Sequence, residues 1–116
     1  MNPWKWNNVE LEIDMEDVEF QKRYEDAFFR MEESEKALQT VGRISDFSAQ
    51  YCQMFFDLFD DIFGQSTSEK LFNGKKNIRL VEECYESFLD VCTNEVKEIN
   101  KRRANAVKKY TVKSRR

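Results

Sequence analysis

Residues 44–72 read ISDFSAQYCQMFFDLFDDIFGQSTSEKLF, and they decide the fold. Ile44, Phe47, Tyr51, Met54, Phe55, Leu58, Phe59 and Ile62 recur at steps of three and four, the period of one helical face. Asp46, Gln50, Asp57, Asp60 and Asp61 fill the other faces. Phe56 and Phe63 leave the main stripe, so the helix is apolar on more than one side. A central helix, or one that also meets a partner, has that pattern. Gly64 suits the position just past a helix end. Ser66-Thr67-Ser68-Glu69 has the Ser-x-x-Glu form of a capping box and predicts a short helical turn from Glu69 to Phe72.

The segments on either side complete a helical protein with one exception. Upstream, Phe20, Tyr24, Ala27, Met31, Ser34, Leu38 and Val41 form a second stripe, widened by Phe28 and ended by Gly42. Asp14 is the expected N-cap, with Glu16, Asp17 and Glu19 at the positive end of that helix. The exception lies before it. Val9, Leu11 and Ile13 alternate with Glu10, Glu12 and Asp14, the period of a strand with one covered face. Asn7-Asn8 tolerates positive φ and suits a type I′ turn, so residues 3–6 are expected to pair with 9–13 as a hairpin. Downstream, Asn73-Gly74 marks a turn and a last helix starts near Asn77. Its stripe is Val81, Cys84, Tyr85, Phe88, Leu89, Cys92, Val96 and Ile99, after which it loses its core and is expected to run to about residue 110. The predicted fold class is mainly α: a short N-terminal β-hairpin, then a bundle of three principal helices and one short helix. Residues 1–110 form one domain, and 111–116 a basic disordered tail.

Composition agrees and removes whole classes of function. The 116 residues hold only 3 Gly and 1 Pro, too few turn formers for a sandwich or barrel. Ten Phe argue for a packed core. With no His, every His-containing catalytic triad is excluded, along with the commonest general base and zinc ligand. No Walker loop or dinucleotide fingerprint occurs. Cys52, Cys84 and Cys92 sit among apolar residues at helical spacing, as buried thiols of a reducing compartment do. Asp57, Asp60 and Asp61 cluster near a helix C-terminus, where acids are unfavourable, so a cationic partner such as Lys70, Lys75 or Lys76 is expected. The chain is expected to have no catalytic residue, no metal and no cofactor. No apolar run is long enough to span a membrane and no signal segment is visible, so a cytoplasmic protein is expected.

Candidate contact residues are few. Trp4 and Trp6 share one strand face; they either cap the core or anchor a partner. Phe56 and Phe63, off the stripe, are expected to face outward toward a partner. The charge is split: residues 1–72 carry net −9 and residues 73–116 net +6. Lys101, Arg102, Arg103, Lys108 and Lys109 are the candidate polyanion contacts in the basic end. With Tyr110 as the single aromatic there, no stacking platform for bases is visible, and specific nucleic-acid recognition is not expected. Opposite charge on the two halves suggests head-to-tail self-association, an acidic partner or weak nucleic-acid contact, or else a basic helix end that complements its own macrodipole; a homo-oligomer is expected.

The run Phe55 to Phe72, with Phe59-Asp60-Asp61-Ile62-Phe63-Gly64-Gln65-Ser66-Thr67 at its centre, resembles small proteins encoded with the tail genes of long-tailed bacteriophages and prophages, of the tail assembly chaperone type. Such proteins often place a short strand or hairpin like Val9–Ile13 first and a final helix like Ile78–Ile99 last. Two residues separate Asp60 from Phe63, and Ser66 stands where Gly is common in those proteins. The resemblance implies a non-enzymatic helical chaperone in the bacterial host cytoplasm, coating a tape-measure protein until the tail tube polymerises around it. A structural head–tail or tail component of the virion and a small nucleic-acid-binding regulator are the alternatives.

Overall fold

The computed structural model describes residues 2–38 and 42–114, with side chains to Lys109. Strands β1 (Asn2–Trp6) and β2 (Val9–Ile13) precede helices α1 (Val18–Leu38), α2 (Ile44–Phe63), α3 (Thr67–Phe72) and α4 (Ile78–Ser114). This is the expected hairpin, three long helices and one short one. The strands pair antiparallel with Trp4 opposite Leu11 and Trp6 opposite Val9. Asn7 and Asn8 close the turn at φ 49° and 64°, the positive values that a two-residue type I′ loop demands. Trp4, Trp6, Val9, Leu11 and Ile13 therefore share the face turned to the core. On the opposite face, Lys5 stands across from Glu10. The Asn7 amide donates to the Leu71 carbonyl at 3.2 Å and pins the hairpin tip to α3.

Phe88, fully buried on α4, is where the elements meet. Its ring lies 5.3 Å from Trp4, 6.2 Å from Tyr24, 5.5 Å from Phe59 and 5.8 Å from Phe63. Strand β1 and helices α1, α2 and α4 thus share one aromatic cluster. Burying one such ring is worth about 1.5–3 kcal/mol before packing terms are added.

Two helix starts depart from expectation. Asp17, not Asp14, caps α1: its carboxylate accepts the Phe20 N–H at 3.2 Å and its carbonyl the Gln21 N–H at 2.9 Å. The segment before it is latched to α4, because the Met15 N–H donates to Glu95 Oε1 at 3.0 Å. The capping box at Ser66 does not form. Ser66 sits at φ 74° with no side-chain cap bond. Asp60 of α2 caps α3 instead, accepting the Ser68 N–H at 2.8 Å and the Ser68 hydroxyl at 3.0 Å. An acid poorly placed for its own helix dipole is well placed for the next one. Gly42 and Arg43 are not helical and α2 starts at Ile44, as a break at Gly42 requires; Val41 of the expected stripe lies outside the described residues. Helix α4 begins after Asn77, whose carboxamide oxygen accepts the Leu80 N–H at 3.1 Å. It runs to Ser114, four residues beyond the expected end, so the backbone of 111–114 is helical; residues 115–116 lie outside the described residues.

Candidate functional site

Two expected partner contacts prove to be core. Phe56 is 7% exposed and stacks on Phe72 at 5.1 Å, because α3 folds back over the face of α2 that was expected to be open. Trp4 is 2% exposed, packs on Phe59 and Phe63 at 5.6 and 5.9 Å, and donates its indole N–H to Ser87 Oγ at 3.0 Å. It caps the core rather than offering an anchor. Phe63 is half-buried between Trp4, Phe20 and Phe88. Trp6 is half-buried too, and its indole N–H lacks a partner among the described residues.

The open apolar surface lies elsewhere. A groove of about 400 Å³ runs between α1, α2 and α4, lined by Met31, Leu38, Phe47, Tyr51, Met54 and Tyr85, with Phe55 at its floor and Glu35 at its rim. Helical spacing builds the α2 wall: Phe47, Tyr51 and Phe55 are each four residues apart and stand one above the other. Their rings touch in series, at 5.8 Å from Phe47 to Tyr51 and 5.0 Å from Tyr51 to Phe55, and Tyr85 of α4 follows at 5.0 Å. The Tyr51 hydroxyl donates to Glu82 Oε2 at 2.7 Å and ties α2 to α4 across the wall. Burial, then that bond to Glu82, pushes the Tyr51 hydroxyl up to about 12, so it stays a neutral donor at neutral pH. Phe47 is 38% exposed, and Ile44, one turn earlier on the same helix, 85%. Met31 and Met54 add flexible thioethers that can adapt to a ligand's shape. Sequence reading placed Ile44 and Phe47 in the core stripe; nothing local shows that they are left exposed.

The remaining titratable groups serve structure. Asp57, Asp60 and Asp61 line one cavity of about 300 Å³ with Arg30, but each carboxylate has a partner of its own. Asp57 accepts from Gln53 at 2.9 Å, Asp60 caps α3, and Asp61 pairs with Arg30 at 3.0 Å. Arg30 therefore supplies the cation expected from Lys70, Lys75 or Lys76. Among the described residues no three His, Cys, Asp or Glu side chains gather as a metal site. All three cysteines are free and buried. Burial pushes the Cys52 and Cys84 thiols up, and burial followed by the Glu95 charge pushes Cys92 up to about 12. None is a thiolate at neutral pH, the form a nucleophile or metal ligand needs. Glu95 is the one buried acid among the described residues, 4% exposed; its second oxygen has no partner among them.

Lys101, Arg102, Arg103, Lys108 and Lys109 are all exposed on α4. Spacing of seven places Lys101 above Lys108 and Arg102 above Lys109 along the helix. Arg102 forms an ion pair with Glu16, just ahead of α1. No helix among the described residues is long and apolar enough to cross a membrane.

No curated protein and no solved structure matches the chain. One family model does, over residues 7–116, described as a family of unknown function (DUF6673). That span takes in the hairpin turn, the three helices that line the groove and the whole basic end of α4. Matched over nearly all of its length, the chain belongs to the DUF6673 family.

Proposed function

We propose that this protein is a non-enzymatic helix-binding chaperone of the phage tail assembly type, with a tape-measure-like protein as its client. The observation that carries this reading is the groove between α1, α2 and α4. Its rings and thioethers form a continuous apolar wall, and Ile44 and Phe47 remain open at one end. An amphipathic helix buries its apolar side in a groove of this kind through residues at i, i+3, i+4 and i+7. A tape measure is long and largely helical, and offers such a face repeatedly. The resemblance of Phe55–Phe72 to tail-region proteins supports the same reading.

The test is capture of the tagged chain from its host during phage production, with co-purifying proteins identified by mass spectrometry. Recovery of a very long helical tail protein, and absence of this chain from mature virions, is the expected result. The Ile44→Asp/Phe47→Glu variant should fold normally and recover at least about tenfold less client, since two exposed apolar contacts are removed. Equal recovery by the variant would rule out the groove. Presence of the chain in finished virions would establish a structural tail or head–tail component instead.

A further inference from the structure

Beyond Arg102, the basic end of α4 runs past the acidic body of its own chain. Helix α4 packs along the inner side of α1, with Tyr85 against Phe28 at 6.3 Å and Phe88 against Tyr24 at 6.2 Å. It then passes the start of α1, where Arg102 meets Glu16. The helix continues unbroken to Ser114, and residues 103–114 extend it by roughly 18 Å at 1.5 Å per residue. Every described side chain from Lys101 to Lys109 is exposed. Between Ile99 and Ser114 there are six Lys or Arg and no acid. Such a projecting arm calls for an acidic partner, and pairing two arms with each other would set like charges face to face.

The matching surface is the outer face of α1. Phe29 is 65% exposed there, against 57% for Val18, which lies on the same side eleven residues earlier. Glu25, Asp26, Glu32 and Glu33 stand at i−4, i−3, i+3 and i+4 from Phe29, all exposed, so four carboxylates ring an exposed aromatic. Lys36 pairs with Glu33 at 3.1 Å, and Lys22 also lies on this face, but acids predominate. Helix α4 repeats the apolar spacing, with one cation on the same face. Val96 and Val107, 37% and 60% exposed, are also eleven residues apart, with Arg103 between them on the same face. Two apolar points about 16 Å apart on each helix coincide when the helices lie side by side.

We propose that the basic arm of one copy, Val96 to Lys109, docks on the outer face of α1, Val18 to Glu33, of a second copy. The two patches differ and lie on separate parts of the chain, so the contact is head-to-tail and can propagate from copy to copy. One helix on one helix buries less than a standard interface, so each contact is weak and salt-sensitive. The groove stays free for a client, and the inference stands apart from the chaperone reading.

Sedimentation velocity on the intact chain tests this. The weight-average mass should rise with concentration at low salt and fall to the monomer when screening shortens to a few Å near 1 M salt. A face variant (Glu25→Gln, Asp26→Asn, Phe29→Ser) and an arm variant (Arg103→Gln, Val107→Ser, Lys108→Gln) alter exposed positions and should keep the wild-type circular dichroism. Each alone should be monomeric. Mixed, they should form a capped one-to-one dimer, because each retains the half that the other has lost. A monomeric wild type at low salt, or a mixture that stays monomeric, would overturn the proposal. Salt-sensitive binding of a short DNA duplex by a chain that stays monomeric would overturn it in favour of a polyanion partner.

Discussion

Replacing Trp4 with Ala tests whether the hairpin is part of the core. The indole is 2% exposed, contacts the rings of Phe59, Phe63 and Phe88, and holds a 3.0 Å hydrogen bond to Ser87. Large-to-small changes at buried aromatic positions cost about 3–5 kcal/mol, and the ring contacts here place this one in the upper half of that range. Taking about 4 kcal/mol and an unfolding entropy of about 2.1 cal/mol/K per residue, the melting temperature should fall by about 15 °C. Ser87→Ala removes only the hydrogen bond and should cost about 1 kcal/mol. Urea unfolding followed by far-UV circular dichroism measures both on one scale, with slopes checked for equality. A loss below about 1 kcal/mol for Trp4→Ala would refute the docked hairpin. Unchanged stability with lost partner binding would make Trp4 an anchor after all.

Two further outcomes follow from the helix caps and the buried protons. Asp60→Ala should cost about 1–2 kcal/mol and speed amide exchange at Leu71 and Phe72 more than in α1, because Asp60 holds the Ser68 N–H and hydroxyl; unchanged exchange in α3 would show that it does not cap that helix. Stability should be complete below about pH 9 and fall as pH rises toward 12. Cys92, ordinarily near 9.0, and Tyr24, ordinarily near 10.0, are each pushed up to about 12 in the fold, chiefly by burial. The unfolded chain therefore releases protons first and is favoured by alkali. Unfolding free energies from pH 7 to 11 should show the decline, and a flat profile would contradict those buried positions.

What could be read from the sequence was local. The Asn7-Asn8 turn, the alternation of Val9, Leu11 and Ile13, and the stripes of α1, α2 and α4 each depend on residues within a few positions of one another. What could not be read was settled by contacts between distant segments. Phe56 left the main stripe as an outward residue would, but the return of α3 brings Phe72 over it. Ser66 had the right residue three positions before Glu69, yet Asp60 reaches the same N-terminus from α2 and displaces it. Ile44 and the groove residue Phe47 keep helical spacing; their exposure depends on which distant segments pack against them. Phe29 offered a local signal, a phenylalanine with acids at all four neighbouring helical positions, and that pattern could have marked it.

The hydrogen bond from Trp4 to Ser87 spans 83 residues. A two-stranded hairpin is marginal by itself, so β1 and β2 cannot settle until α4 exists to receive them. At about 5–20 residues per second, a ribosome takes roughly 4–17 seconds to synthesise that intervening length. Until α4 emerges, the strand face of Trp4, Trp6, Val9, Leu11 and Ile13 has only the earlier helices to pack on and lacks Phe88 and Ser87. Nascent copies on one messenger are therefore exposed to strand-to-strand capture. The rate at which the last helix emerges therefore bears on how much of the protein escapes it.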